Sequence, residues 1–92
     1  MSKLYRVITE NKNYNDIIVY LMEHKLDATI IQANGLWQGR AEKSIVIEIA
    51  ECSTPMYISI EQAVEKLVYW LKKHNMQDKV MLQEVNAELW LM

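Results

Sequence analysis

Hydrophobic periodicity switches between two and 3.6 residues along this chain of 92 residues, and the order of the switches leaves few folds open. Residues 3–10 alternate, with Leu4, Arg6 and Ile8 on one side and Tyr5, Val7 and Thr9 on the other, which is a strand. Asn11-Lys12-Asn13 is turn chemistry, and Asn13 is placed to cap a helix whose apolar face runs through Tyr14, Ile17, Ile18, Leu21 and Lys25. Residues 28–32 form a second strand. Residues 44–50 form a third, with Ile45, Ile47 and Ile49 on one face and Ser44, Val46 and Glu48 on the other. Residues 51–57 carry Pro55, the only proline, and make a connection. A helix over 59–74 then puts Ile60, Ala63, Val64, Leu67, Val68 and Leu71 in one stripe, with Ser59 and Gln62 at capping-box spacing. Residues 79–85 return to strand, and 87–92 offer a short final strand or turn with Leu89, Trp90 and Leu91.

The order β-α-β-β-α-β predicts one α+β domain over residues 1–92. The expected architecture is a ferredoxin-like sandwich, with an antiparallel sheet, two helices on one face and a short C-terminal extra strand. Helices on one face leave the other to be covered. Tyr5, Val7 and Val46 are expected on that uncovered side, so the chain is expected to associate with itself through the sheet.

Both glycines, Gly35 and Gly39, flank Trp37 in Asn34-Gly35-Leu36-Trp37-Gln38-Gly39-Arg40. Glycine serves where a backbone takes positive φ or approaches something closely, so a functional loop is expected at 35–43. Trp37 could stack on a ligand or partner, with Arg40 pairing an anion. The competing reading folds Trp37 back over the sheet edge or a neighbouring subunit. Lys72-Lys73-His74 is the densest basic cluster, and its plainest role is to complement the helix dipole. Tyr69, Trp70 and Trp90 flank the apolar stripes and suit an oligomer contact.

Several classes are argued against. A net charge of −2 with acids and bases well mixed does not suit duplex DNA. The longest apolar run, residues 17–22, is too short to span a bilayer, and nothing reads as a signal peptide. Cys52 is the only cysteine, which excludes an internal disulfide and fits the cytoplasm. His24 and His74 show no ligand spacing with each other or with Cys52; each stands near a helix end, where it can satisfy terminal carbonyls. Ser44, Ser53 and Ser59 lie in no nucleophile motif. No catalytic residue, metal or cofactor is therefore assigned.

Three stretches resemble the superfamily that joins the PII signal proteins to the CutA divalent-cation tolerance proteins. Val7-Ile8-Thr9-Glu10 with its polar turn and helix is similar to the opening of both families. Asp27-Ala28-Thr29-Ile30-Ile31 running into Gly35-Leu36-Trp37-Gln38-Gly39 resembles the strand entering the PII T-loop. Trp37-Gln38-Gly39-Arg40 followed by Glu42-Lys43-Ser44 is similar to a CutA hairpin, and Asn86-Ala87-Glu88-Leu89-Trp90 resembles the CutA C-terminus. The chain departs from PII in lacking a long T-loop with its tyrosine. His74-Asn75-Met76-Gln77-Asp78-Lys79 stands where PII has a glycine-rich phosphate turn, so ATP binding of the PII kind is in doubt.

The resemblance implies a homo-oligomer, with a trimer favoured and a dimer as the alternative. It would bind a small anionic ligand or signal in clefts between subunits, through Gly35, Trp37, Gln38, Gly39, Arg40 and Lys43, with Lys72, Lys73 and Lys79. The alternative is a protein-interaction or inhibitor module, of the kind phages encode, that presents Trp37 to a macromolecule.

Overall fold

The computed structural model describes residues 2–50, 59–77 and 80–87. The elements follow the expected order: β1 (Ser2–Glu10), α1 (Tyr14–Glu23), β2 (Thr29–Trp37), β3 (Arg40–Ala50), α2 (Ile60–His74) and β4 (Met81–Ala87). The strands form one sheet in the order β2-β3-β1-β4, with each neighbouring pair antiparallel. This is the α+β, ferredoxin-like arrangement. The expected C-terminal strand, Cys52, Pro55, Asp78, Lys79 and Trp90 lie outside the described residues.

The core lies between the helices and one face of the sheet. Ile45, Ile47 and Ile49 of β3 stand opposite Thr9, Val7 and Tyr5 of β1, and all six are buried. Ile17, Tyr20 and Leu21 of α1 and Ile60, Ala63, Val64, Leu67 and Leu71 of α2 close over them. The predicted stripe of α2 is therefore the packed face. Tyr5 and Val7 belong to this face and not to the uncovered one, because register places them beside the isoleucines. Val46 alone of that expected trio is on the open side. Tyr20, which falls outside the face predicted for α1, is buried in the helix–helix seam.

In that seam four rings stack in the order His24, Tyr20, Trp70 and His74, with centroids 3.9, 4.4 and 4.5 Å apart. Trp70, expected as an oligomer contact, is partly buried and stacks within the fold. His24 Nδ1–H donates to the Tyr20 carbonyl at 2.8 Å, satisfying a helix-end acceptor as expected. His74 does not do this: its Nε2 pairs with Asp16 of α1 at 2.8 Å. Burial raises the Tyr20 phenol above its ordinary range.

Helix starts differ in their chemistry. Ser59 caps α2 as predicted, accepting from the Gln62 amide at 3.2 Å. Asn13 does not cap α1; its backbone is left-handed, with φ of 55°, and its side-chain amide donates instead to Asn75 Oδ1 at 2.9 Å. An asparagine tolerates that backbone, so the turn gains a tertiary contact in place of a cap.

Candidate functional site

The segment expected as a loop is a β-hairpin. β2 runs through Gly35 to Trp37, and β3 begins at Arg40, so pairing continues through Asn34–Lys43, Gly35–Glu42, Leu36–Ala41 and Trp37–Arg40. Gln38 and Gly39 turn the chain with φ of 49° and 78°, the doubly positive pair of a type I′ hairpin. Gly39 is required for conformation and not for space, since a Cβ there would meet nothing within 4 Å. Gly35 lies in extended strand opposite Glu42. The signal that distinguishes hairpin from loop was in the sequence: a Gln-Gly pair between two alternating runs is two-residue turn chemistry.

β1 stops pairing with β3 at Glu10–Ser44, and one further bond from the Asn11 amide reaches the Lys43 carbonyl at 3.1 Å. Beyond it β2 and β3 continue as a two-stranded ribbon past the end of β1. Its side chains at Asn34, Leu36, Gln38, Arg40, Glu42 and Lys43 are exposed. Leu36, at 80% exposure, is the most open large apolar residue on it. The backbone of Trp37 pairs with Arg40 at the base of the turn; its side chain lies outside the described parts.

A buried polar cluster, which sequence reasoning missed, joins three elements at the same end. Thr9 Oγ1 donates to Gln77 Oε1 at 2.6 Å, and the Asn75 amide donates to the same oxygen at 3.2 Å. Asn13 then reaches Asn75. Thr9, Asn75 and Gln77 are all buried, so each needs a partner. Only the alternation of β1, with Thr9 in the row of Tyr5 and Val7, hinted at a hydroxyl facing the core. The cluster fixes the turn after α2 against the end of β1. It thereby places Lys72 and Lys73 at the end of the sheet from which the ribbon leaves. Lys73 Nζ stands 4.7 Å from the Tyr69 ring centroid. The hairpin residues and the α2 terminus therefore share one end of the molecule, while Lys79 falls outside the described residues.

The face of the sheet that no described element covers has its own order. Register lines up Ile31, Val46, Ile8 and Met81 in one apolar row across all four strands. The next row is polar: Thr29, Glu48, Arg6 and Gln83. The row after that is apolar again, with Ala50, Leu4 and Val85. Arg6 Nε donates to Glu48 Oε2 at 2.6 Å, with the two side chains 38% and 24% exposed.

At the opposite edge, Lys3 and Glu84 pair at 2.7 Å. The hydrogen bond from Lys3 holds the Glu84 carboxyl below its usual range, and the same bond raises the Lys3 amine. Burial, helped by the nearby Glu84 charge, raises the Tyr5 phenol, which donates to Glu84 at 3.3 Å.

No described helix is long and apolar enough to cross a membrane. Among the described residues no three His, Cys, Asp or Glu side chains are gathered as a metal site would need.

No protein-family model and no curated protein matches the chain. Two solved structures are similar to it in fold. One is a DUF3240 family protein from Shewanella baltica OS155, at 15% identity and a TM-score of 0.69, covering 99% of this chain and 94% of that one. The other is a phage SAM lyase in complex with S-methyl-5'-thioadenosine, at 16% identity and a TM-score of 0.67, covering 91% of this chain and 80% of that one. At such identities the likeness is one of fold, and fold by itself assigns no activity.

Proposed function

We propose that this protein is a non-enzymatic, oligomeric ligand- or signal-binding protein of the PII/CutA kind, acting in the cytoplasm. Its sites lie in clefts between subunits beside the β2–β3 hairpin. The observation that carries the reading is the uncovered sheet face, whose Ile31–Val46–Ile8–Met81 row crosses every strand without interruption. A continuous apolar row of this kind, with a second one beyond the charged row, favours a partner. Packing copies through it leaves the hairpin, with Arg40 and Lys43, free to reach a neighbour's flank. A trimer is the assembly that the PII/CutA likeness implies, with a dimer as the alternative. The ligand is a small anion or a nucleoside-like molecule. Arg40, Lys43, Lys72 and Lys73 supply cationic donors, and a structural neighbour of the same fold holds a thionucleoside.

The test is solution mass by light scattering, repeated with S-methyl-5'-thioadenosine, ATP and divalent cations while the melting temperature is followed. An oligomer whose Tm rises with one of these supports the reading, because a ligand of the folded state must stabilise it. The Arg40→Ala variant should lose that shift and keep its mass. A monomer, or an oligomer indifferent to every compound, overturns it.

A second reading rests on Leu36, exposed on a ribbon that no other described strand pairs with. Under it the hairpin is a docking arm for a macromolecule. Trp37→Ala should then abolish capture of that partner, and no small molecule should move the Tm.

A further inference from the structure

We infer that the open sheet face docks a second copy of this chain, and that Arg6 and Glu48 set how the copies meet by pairing across the contact. The inference rests on the oligomeric reading above and adds the residues that would specify the contact.

The argument starts from register. Arg6 and Glu48 stand opposite each other on the central strands β1 and β3, with Gln83 and Thr29 continuing the polar row to both edges. Apolar rows flank it on either side. If this face stayed in water, the pair would be an ordinary surface ion pair of little consequence. The flanking rows argue that it is covered, and covering changes what the pair requires. A guanidinium has five N–H donors, and among the described residues Arg6 uses only Nε, toward Glu48. Burial would leave its terminal nitrogens in need of acceptors, and charges removed from water without partners are costly.

A second copy supplies those acceptors. The row carries one cation and one anion side by side, so it is complementary to itself. Turn a second copy about an axis along the strands, and its Glu48 comes over Arg6 while its Arg6 comes over Glu48. The apolar rows then meet the same apolar rows, as a self-complementary contact requires. A foreign partner would need the same alternation of apolar, charged and apolar rows, which this chain already has.

The experiment is charge reversal read by light scattering and native mass spectrometry, at a concentration where the wild-type chain is assembled. Arg6→Glu and Glu48→Arg place like charges together in every self-contact, so each alone should fall to monomer mass. Mixed in equal amounts they should reassemble, with both chains present in each complex. Arg6→Gln and Glu48→Gln remove charge without repulsion and guard against misfolding. They should weaken assembly on the order of tenfold or more while keeping the wild-type circular dichroism spectrum. Single variants that assemble as tightly as wild type overturn the inference and leave the oligomeric reading standing. So does a mixture of folded single variants that stays monomeric. A wild-type chain that is monomeric at every concentration overturns both.

Discussion

Val46 and Ile47 are neighbours in β3 and both β-branched, yet they face different surroundings. Ile47 is fully buried beneath the helices, whereas Val46 is half-buried on the face that no described element covers. The helix-covered face excludes water through side chains of its own chain, with Val7, Ile45, Ile47 and Ile49 buried at its centre and polar groups where Thr9 meets its cluster and where Glu84 stands beside Tyr5 at the β4 edge. The open face is layered, apolar then charged then apolar. One face is closed by the fold; the other is the face we propose is closed by a second copy. The largest expected effect tests that difference. Ile47→Ala should cost about 2–5 kcal/mol, the range for a large-to-small change in a closed core, measured from the urea midpoint and independent of protein concentration. Val46→Ala should cost about 1 kcal/mol or less in dilute solution, since a half-exposed valine has less to lose. Its cost should grow with concentration as the face becomes covered. Equal losses from the two at every concentration would break the comparison.

The polar cluster of Thr9, Asn75 and Gln77 is where the covered side, among the described residues, buries polar groups. Gln77→Met strands the Thr9 hydroxyl and one Asn75 donor, and should cost about 1–3 kcal/mol, the penalty for buried groups left unpaired. Thr9→Val removes the stranded hydroxyl, so the double variant should recover part of the loss in a double-mutant cycle. No recovery would mean that the cluster acts by shape alone. The open face carries its polar groups differently, at partial exposure, where substitution of one partner is softened by water.

Much of the fold was legible because periodicity reports burial directly. Ile45, Ile47 and Ile49 and the Ile60–Leu71 stripe of α2 announced both their elements and their inward faces. Which face of β1 turns inward was not legible. Both of its sides are largely apolar, and only pairing with β3 decides that Tyr5 and Val7 join the isoleucines. The cap of α1 was misread for a related reason. Asn13 suits a cap and a left-handed turn equally, and the choice is made by Asn75, 62 residues away. The candidate site was half legible. Two glycines marked a segment that departs from the rest of the chain, but reading them as a loop overlooked that Gln38-Gly39 closes a hairpin between two alternating strands. The Thr9–Gln77 contact joins residues with no pattern in common, so nothing local could reveal it.

The hairpin extends the comparison from faces to edges, because its ribbon leans on neither the helices nor β1. A two-stranded ribbon is marginal by itself in water, so its turn should matter locally. Gly39→Ala places a side chain at φ of 78° and should cost about 1–2 kcal/mol. The loss should appear as faster amide exchange between residues 34 and 43, while the β1–β3 ladder keeps its protection. Gly35→Ala carries no such penalty, since Gly35 is not among the glycines of positive φ. Equal acceleration in the β1–β3 ladder would show that the ribbon and the sheet open together.

The smallest effect distinguishes two of the ion pairs of β1. Arg6–Glu48 lies on the open face between apolar rows, with Glu48 the more covered of the two; Lys3–Glu84 lies at the β4 edge, where both side chains are exposed. Glu84 is held below its ordinary value of 4.5, so its contribution to stability is present above that pH and is lost as the pH falls through the depressed value. Lys3 is raised above 10.5, so its contribution is present below that pH and fades as the pH rises through the raised value. The pair is therefore engaged across the neutral range. Glu84→Gln should barely move the urea midpoint at pH 7, because exposed pairs are screened, and should flatten the dependence of stability on pH below 4.5. Salt should mimic the substitution. For Glu48→Gln the change should instead appear in assembly, and persist in salt, if its carboxylate is covered by a second copy. A Glu84→Gln variant that changes assembly, with Glu48→Gln silent, would reverse the roles of the two edges and move the contact from the open face to β4.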